Sequence, residues 1–137
     1  MISSPSNLEA MAVILADHPE LHWTRALLED SLQSPLTRVF ASLFSFAVFQ
    51  IVADEAELLL IATAKTQQGQ GHASCLLRDA LTQLAAQGIR SIFLEVRSSN
   101  EIGQHLYEKL GFIQTGRRRD YYQDPKEDAL LYSGHTI

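Results

Sequence analysis

Cysteine and long apolar runs are both scarce in this chain. A single cysteine, Cys75, among 137 residues excludes an internal disulfide and fits a reducing compartment. No apolar run approaches the roughly 20 residues that a membrane-spanning helix needs. Residues 1–5 lack the basic region that opens a secretory signal peptide. We therefore expect a cytoplasmic protein that does not associate with a membrane.

Basic charge is also in short supply. There are 11 lysines and arginines against 16 aspartates and glutamates, a net charge of −5, which argues against general nucleic-acid binding and suits a basic peptide partner. The five histidines have none of the spacings typical of metal ligands, so no metal is expected. A chain of this length with 46% hydrophobic residues predicts one compact domain over residues 1–137. The residues predict no particular oligomeric state.

The periodicity of the apolar residues predicts an α/β domain. Helical spacing covers four segments, at residues 8–17, 24–32, 72–87 and 100–110. Strand patterns cover six segments, at residues 37–43, 44–52, 57–62, 91–96, 112–117 and 129–133. No turn is evident between the first two strands, whereas the last two are expected to form a hairpin around residues 124–125. This order predicts a mixed sheet covered by helices on both faces.

A glycine-bearing loop joins one predicted strand to the longest predicted helix. Gly69 and Gly71 precede the helix that begins near His72, and glycine allows a close approach of the backbone and a positive φ. The first N–H groups of a helix lack partners inside the helix and lie at its positive end. The loop has neither the Lys-Ser/Thr pair of a nucleoside triphosphate site nor the third glycine of a dinucleotide turn. We therefore predict a phosphate bound by backbone amides, with a simple tight connection as the alternative.

The segment that follows places a carboxylate and a phenol on neighbouring elements. In the strand at 91–96 the apolar residues alternate, so that Glu95 lies on the opposite face from the core. Asn100 is a favourable N-cap and Gly111 a favourable residue after the end of the next helix. Tyr107 lies seven residues after Asn100, which places both on one helix face about two turns apart.

These motifs resemble the GNAT superfamily of acetyl-CoA-dependent N-acetyltransferases. Within it the chain is similar to the RimI type, which acetylates the N-terminal alanine of a small-subunit ribosomal protein. The family loop pattern is Gln/Arg-x-x-Gly-x-Gly/Ala, and Gln68, Gly71 and Ala73 fill its fixed positions. Further similar blocks lie at residues 54–58, 61–62, 94–100, 106–112, 117–122 and 127–129. The resemblance implies the GNAT fold, with a mixed, mostly antiparallel central sheet and helices on both faces.

The resemblance also implies a catalytic pair. Acetyl transfer needs a neutral amine, but an α-amine or a lysine is mostly protonated at pH 7, so a base must accept a proton. The family places this general base at Glu95 and the general acid that protonates the leaving thiolate at Tyr107. From the residues alone, Glu95 could instead form an ion pair with Arg97 or Arg90, and Tyr107 could simply pack its helix against the sheet.

Acetyl-CoA is the co-substrate that the resemblance implies. Its pantetheine arm would pair with exposed strand backbone, as an added strand does, and its phosphates would lie on the loop. The residues implied in binding it are Ile61, Ala62, Thr63, Gln68, Gly69, Gln70, Gly71, His72, Ala73, Ser74 and Asn100. From the residues alone, Asn100 can cap its helix as well, and the His72 side chain could equally be solvated.

For the acceptor, the similar segments favour the N-terminal α-amine of a protein, most plausibly a basic ribosomal one. Tyr121, Tyr122 and the preceding arginines at 117–119 match the segment implied to shape the peptide site, and Trp23 is a further candidate wall. The arginines alone could equally form a solvated hairpin. Three positive charges in an acidic chain are weak evidence for nucleic-acid binding.

Several positions depart from the family pattern and leave alternatives open. The hairpin near residues 41–45 is shorter than usual, Leu60 replaces a common polar residue, and Gln123 stands where proline is frequent. Only residues 1–4 are available for the family's first strand. These departures keep open a GNAT enzyme that acetylates a small amine or a polyamine.

The residues argue against one further function and one further mechanism. The first is a non-catalytic CoA-binding module with a regulatory role, and the presence of both Glu95 and Tyr107 argues against it. The second is an acyl-enzyme route through the thiol of Cys75. A small buried cysteine is the commoner situation, so we predict direct transfer to the amine.

Overall fold

The helices and strands follow the predicted order. The computed structural model describes residues 5–137, with side chains from Leu8 onward. Its α-helices are α1 (Pro5–Ala16), α2 (Arg25–Gln33), α3 (His72–Ala86) and α4 (Glu101–Lys109). Its strands are β1 (Thr37–Ala41), β2 (Ser45–Val52), β3 (Glu55–Thr63), β4 (Ser91–Arg97), β5 (Ile113–Tyr122) and β6 (Glu127–His135). The first strand considered for residues 1–4 lies outside the described residues.

The six strands form one sheet in the order β1-β2-β3-β4-β6-β5. Strands β3 and β4 are parallel, because the long helix α3 crosses between them, and the other neighbours are antiparallel. This confirms the predicted mixed, mostly antiparallel sheet. None of the helices among the described residues is long and apolar enough to cross a membrane.

Helices cover the two faces of the sheet unequally. A first core cluster packs α3 and α4 against one face and includes buried Leu77, Leu81, Ile92 and Leu94. A second cluster packs α1 and α2 against the other face, where its strand residues come only from β1, β2 and β3. The same face of β4 is more open, because Phe93 keeps 41% of its surface exposed. Helices therefore lie on both faces, as predicted, but a cleft remains beside β4.

A bulge in β3 separates this strand from β4. Phe49 of β2 pairs with Leu58, whereas the preceding residue of β2 pairs with Leu60, so Leu59 is an extra residue in β3. The bulge reverses the side-chain alternation: Leu58 belongs to the first core cluster and Leu60 to the second. Pairing between β3 and β4 ends at Leu58 and Leu94. Beyond the bulge, the β4 side of β3 is an unpaired strand edge.

Caps are present at α2, α3 and α4, whereas α1 begins at Pro5, before the expected caps Ser6 or Asn7. The Thr24 hydroxyl accepts a hydrogen bond of 3.1 Å from the Leu27 N–H at the start of α2. The Asn100 side chain accepts one of 2.9 Å from the Gly103 N–H at the start of α4. Gly88 ends α3 with φ of 87°, where a glycine is favoured because other residues are strained.

The predicted strand ends are less accurate. β1 ends at Ala41, and Ser42 turns the chain by donating its N–H to the Ser45 carbonyl at 2.8 Å. β5 continues to Tyr122 rather than ending at residue 117, because its pairing with β6 resumes beyond a register shift. Asp120 lies within that shift with φ of 52°. Irregular pairing of this kind has no signature in the apolar pattern.

Candidate active site

The unpaired edge of β3 offers backbone groups to a ligand. The Ala64 N–H bonds the Phe44 carbonyl on the β2 side at 2.7 Å, so by strand alternation the N–H and C=O groups of Thr63 and Ile61 face the β4 side. One of these groups is occupied, because the Thr63 carbonyl accepts a hydrogen bond of 2.6 Å from Nε2 of His18. The remaining edge can pair with an extended amide-containing chain.

The glycine loop presents the start of α3 to the same region. Gly71 is the N-cap of α3 with φ of 85° and without a side-chain cap, and Gly69 has φ of 77°. A Cβ added at either glycine would meet no described atom within 4 Å, so the space in front of the loop is open. An uncapped helix start behind an open loop fits an anion bound by backbone N–H groups. The edge and the loop together fit a pantetheine arm followed by phosphates.

His72 does not have the solvated side chain that one interpretation of the sequence allowed. Its ring packs edge-to-face on Phe44, with centroids 5.1 Å apart, and its Nε2 is buried without a partner among the described residues. Cys75, by contrast, is exposed, so the prediction of a buried cysteine is wrong. Cys75 borders a hollow of about 160 Å³ that also includes Ser42 and Asp79. Glu95 is not among the residues that line this hollow.

A larger cleft opens on the face of β4 that helices leave uncovered. It has a volume of about 360 Å³ and is lined by Glu57, Phe93, Leu94, Glu95, Thr115, Arg118, Tyr121, Leu131 and Tyr132. Glu95, the predicted base, has a side chain that is 20% exposed, and its Oε2 lies 3.2 Å from Nε of Arg118. The alternative pairing of Glu95 with Arg97 or Arg90 is wrong: Arg97 pairs with Glu127 at 3.2 Å.

Glu57 is a second carboxylate in this cleft that the sequence analysis missed. It lies opposite Phe93 in the parallel pairing of β3 and β4, on the same face as Glu95. Burial raises the pKa of the Glu57 carboxyl, the Glu95 charge adds to the rise, and Arg118 opposes it. A glutamate between the apolar residues Ala56 and Leu58 was the available signal, since a charged residue in a core strand often has a functional reason.

Of the two tyrosines predicted as walls, Tyr121 lines the cleft with Glu95, whereas Tyr122 is not among the lining residues and packs behind Tyr121. The negative charge of Glu95 raises the pKa of the Tyr121 hydroxyl, and Tyr121 packs edge-to-face on Tyr122 with centroids 5.2 Å apart. Burial, followed by the Glu95 charge, raises the pKa of Tyr122 to about 12. The guanidinium of Arg97 lies 4.2 Å above the Tyr122 ring. Trp23 is not among the residues that line the cleft: it packs against the second core cluster.

Tyr107 lies on the other side of β4, in the first core cluster. It is only 6% exposed and packs near the rings of Phe112 and Tyr132, with centroids 6.1 and 6.2 Å away. Burial raises the pKa of its hydroxyl well above the usual range, and Tyr122 adds to the rise. The phenol is therefore protonated at neutral pH and has a proton to donate. Tyr122 is electrostatically coupled to both predicted catalytic residues, Glu95 and Tyr107.

Two of the three arginines at residues 117–119 form ion pairs within the protein. Arg117 pairs with Asp128 at 3.3 Å and Arg118 with Glu95. No cluster of three or more possible metal ligands occurs among residues 5–137. The arrangement thus combines a backbone edge and anion loop with an acidic, aromatic cleft across β4, which suits the meeting of an acyl carrier and an amine.

Comparison with known proteins identifies the family. A family model described as acetyltransferase (GNAT) matches residues 6–112. The chain belongs to the GNAT family. The matched residues include the bulge in β3, the open strand edge, the glycine loop before α3 and Glu95, and they end before β5.

Curated relatives match about two thirds of the chain. The [ribosomal protein bS18]-alanine N-acetyltransferase of Haemophilus ducreyi is 41% identical over 93 residues, which cover 66% of this chain and 64% of the relative. The Escherichia coli K12 protein of that name is 42% identical over 89 residues, covering 64% and 60%. The chain thus matches somewhat less than two thirds of the length of these relatives.

Solved structures extend the likeness to nearly the whole chain. The Escherichia coli ribosomal-protein-S18-alanine N-acetyltransferase has a TM-score of 0.89 at 29% identity, covering 99% of this chain and 92% of that one. Ard1 of Thermoplasma volcanium has a TM-score of 0.86 at 25% identity, covering 100% and 96%. Arabidopsis thaliana NAA60, solved with acetyl-CoA, shares the fold at 16% identity with a TM-score of 0.84, covering 96% and 94%.

Proposed function

We propose that this chain transfers an acetyl group from acetyl-CoA to the N-terminal α-amine of a protein in the cytoplasm, and that the substrate is a basic ribosomal protein beginning with alanine. The observation that carries the proposal is the position of Glu95. This carboxylate lies in a cleft walled by Tyr121, at the strand that separates from the open edge of β3. The names of the curated relatives and of the structure at 29% identity support the choice of substrate.

The open edge and the glycine loop fit the donor. When bound, acetyl-CoA supplies the thioester whose acetyl group is transferred. Backbone groups of Ile61 and the N–H of Thr63 would pair with its amides, whereas the backbone groups of Ala62, between them, face β2. Amides of the loop from Gln68 to Ser74 would bind its phosphates. Asn100 remains a candidate donor contact, although its carbonyl oxygen already caps α4.

Two side chains would move the protons. Glu95 accepts a proton from the α-ammonium group, directly or through water, so that the amine can attack. Tyr107, which burial keeps protonated, donates a proton to the leaving sulfur. Because the two groups lie on opposite faces of β4, proton removal and proton donation occur on opposite sides of the reacting centre. The transfer is direct, since Cys75 is not among the residues of the Glu95 cleft.

The test compares three acceptors at equal concentration. The first is a basic peptide with a free N-terminal alanine and an internal lysine, the second is the same peptide with a blocked N-terminus, and the third is spermidine. We expect acetylation only at the α-amine of the first, located by fragment mass spectrometry. Salt should raise KM for this peptide, because it screens the attraction between a basic peptide and a chain of net charge −5.

The alternatives predict different products. Turnover of spermidine alone would establish a polyamine acetyltransferase, and turnover of the blocked peptide would establish a lysine acetyltransferase. Binding of CoA without turnover of any amine would establish the non-catalytic module. Each of these results would replace the N-terminal proposal.

A further inference from the structure

We propose that Arg118 is a displaceable counter-ion that occupies the position of the substrate's α-ammonium group on Glu95 in the free protein. Glu57 is the second carboxylate that receives the incoming ammonium. The inference rests on the proposed function, since it assigns the cation that this cleft binds. It adds two specificity-determining residues, Arg118 and Glu57, to the cleft.

The ion pair of Arg118 has the geometry of a contact that can exchange. Its Nε lies 3.2 Å from Oε2 of Glu95, close enough to occupy the carboxylate that must accept the substrate's proton. The Arg118 side chain is 58% exposed, whereas that of Glu95 is 20% exposed. An ion pair with one solvated partner contributes little to stability. The guanidinium can therefore leave at small cost, while the carboxylate stays in place.

The surroundings of the guanidinium suit an ammonium group equally well. The guanidinium carbon lies 5.3 Å from the centre of the Tyr121 ring, within the range of a cation–π contact. Glu95 lines the same cleft as Tyr121, and its charge raises the pKa of the Tyr121 hydroxyl. Carboxylate and aromatic face together select a cation, and a peptide's α-ammonium needs the same two partners.

Charge balance explains why the ammonium group of a substrate can replace Arg118 in the cleft. Glu57 and Glu95 line the cleft with Arg118, so two carboxylates face one guanidinium. Among residues 8–137 the ion pairs do not include Glu57. When Arg118 moves out and an ammonium group enters, the net charge of the cleft is unchanged. The proton then passes from nitrogen to the Glu95 carboxylate, leaving a neutral amine, while Glu57 stays negative.

The backbone pairing changes directly after Arg118. The register of β5 against β6 shifts between Arg118 and Tyr122, and Asp120 between them has φ of 52°. Arg118 thus ends a regular stretch of pairing and precedes an irregular one. Arg119, its exposed neighbour on the same strand, offers a matched control.

The first experiment measures KM and kcat for the N-terminal alanine peptide. Arg118→Gln removes the competitor, so KM should fall by about 2- to 5-fold, the range of an exposed ion pair, with kcat nearly unchanged. N-ethylguanidinium should inhibit this variant competitively and restore the higher KM. Arg119→Gln should behave like the wild type. An unchanged or raised KM in Arg118→Gln would overturn the inference, because Arg118 would then be neutral or a substrate ligand.

Glu57→Gln tests the receiving carboxylate in the same assay. KM should rise by about tenfold, as expected for the loss of a hydrogen bond to a charged group, while the affinity for CoA stays the same. Glu55→Gln, an exposed position on the same strand, is the control. Equal KM values in Glu57→Gln and the wild type would remove Glu57 from the proposal.

A measurement without turnover separates this inference from the proposed function. The Arg118 Nε–H resonance, identified by its loss in Arg118→Gln, should shift when alaninamide is added. N-acetylalaninamide, which has no ammonium group, should leave it in place. If no amine is acetylated but alaninamide still shifts the resonance, the proposed function fails and the counter-ion exchange stands. If neither compound shifts it, the exchange is wrong whatever the enzyme acetylates.

Discussion

Two parts of the candidate site present different chemical groups to a ligand. We call the open β3 edge with the glycine loop the donor region, and the cleft of Glu57, Glu95 and Arg118 the acceptor cleft. The donor region consists of backbone groups: the edge of β3 beyond the bulge at Leu59, and the loop that ends in Gly71. The acceptor cleft consists of charged and aromatic side chains, with Glu95 and Arg118 in direct contact. We therefore expect the first region to recognise its ligand by main-chain geometry and the second by side-chain charge.

This difference explains which departures from the family pattern matter. Leu60 replaces a frequently polar residue, but it is buried in the second core cluster and is not among the residues of the acceptor cleft. Changes at Glu57, Arg118 or Tyr121 would instead alter the charge or shape of the cleft. We therefore expect substrate choice to depend on the second region.

The largest effect should come from the carboxylate of the acceptor cleft. Glu95→Gln should lower kcat by about 10²- to 10⁴-fold, the usual range for a general base, with CoA affinity unchanged. Raising the pH should recover part of the rate, because more of the amine is then deprotonated. Steady-state rates across a pH series, with Glu55→Gln as control, check this. Wild-type rates in Glu95→Gln would assign the base elsewhere.

The next effect concerns the buried phenol. Tyr107→Phe should lower kcat by about 10²-fold by removing a general acid, and leave CoA affinity nearly intact. Phe112→Leu is a matched control, since Phe112 lies in the same cluster with its ring centroid 6.1 Å from that of Tyr107 and has no hydroxyl. Rates that fall equally in both variants would indicate a packing role for Tyr107 rather than proton donation.

A smaller effect, on CoA binding, is expected from a substitution in the glycine loop before α3. Gly71→Val places a side chain in front of the loop and should weaken CoA binding by about 10- to 100-fold, as expected when a charged hydrogen bond is lost. Gly88→Val imposes similar strain at the other end of α3, where φ is 87°, also with open space around the added Cβ. Calorimetry should show normal CoA affinity in Gly88→Val. Equal weakening in both would reduce the loop effect to backbone strain.

The smallest effect is expected at the exposed thiol. Cys75→Ala should keep its activity within about twofold of the wild type, because direct transfer needs no enzyme nucleophile. Incubation of the wild type with acetyl-CoA alone, followed by mass measurement of the intact protein, provides a second check. An acetyl group trapped on Cys75, together with inactivity of the alanine variant, would establish an acyl-enzyme route instead.

The donor region was the more predictable of the two. A glycine loop between a strand and a helix is a local pattern, so Gln68, Gly71 and the helix start at His72 could be identified from neighbours in the chain. The cap at Asn100 is local in the same way. The bulge at Leu59 could not be identified, because it lies within a run of identical leucines and is defined only by pairing with β2.

The acceptor cleft depends on contacts between distant parts of the chain. Glu95 pairs in register with Leu131, and Leu131 with Gly116, which places the β5 arginines near β4. Sequence periodicity does not determine such a register, and so the ion-pair partners considered for Glu95 were the nearby Arg97 and Arg90 rather than Arg118. Glu57 was missed for the same reason, since its neighbour Phe93 lies across the helical crossover.

The central claim is that an acyl donor on the edge of β3 meets a peptide α-amine held at Glu95. A crystal structure with CoA and a basic peptide beginning with alanine tests it most directly. We predict CoA along residues 59–63 with its phosphates on the loop before α3, the peptide nitrogen within hydrogen-bonding distance of Glu95, and Arg118 withdrawn from that carboxylate. A peptide bound outside the cleft of Glu57 and Glu95, with Arg118 still paired to Glu95, would contradict the account.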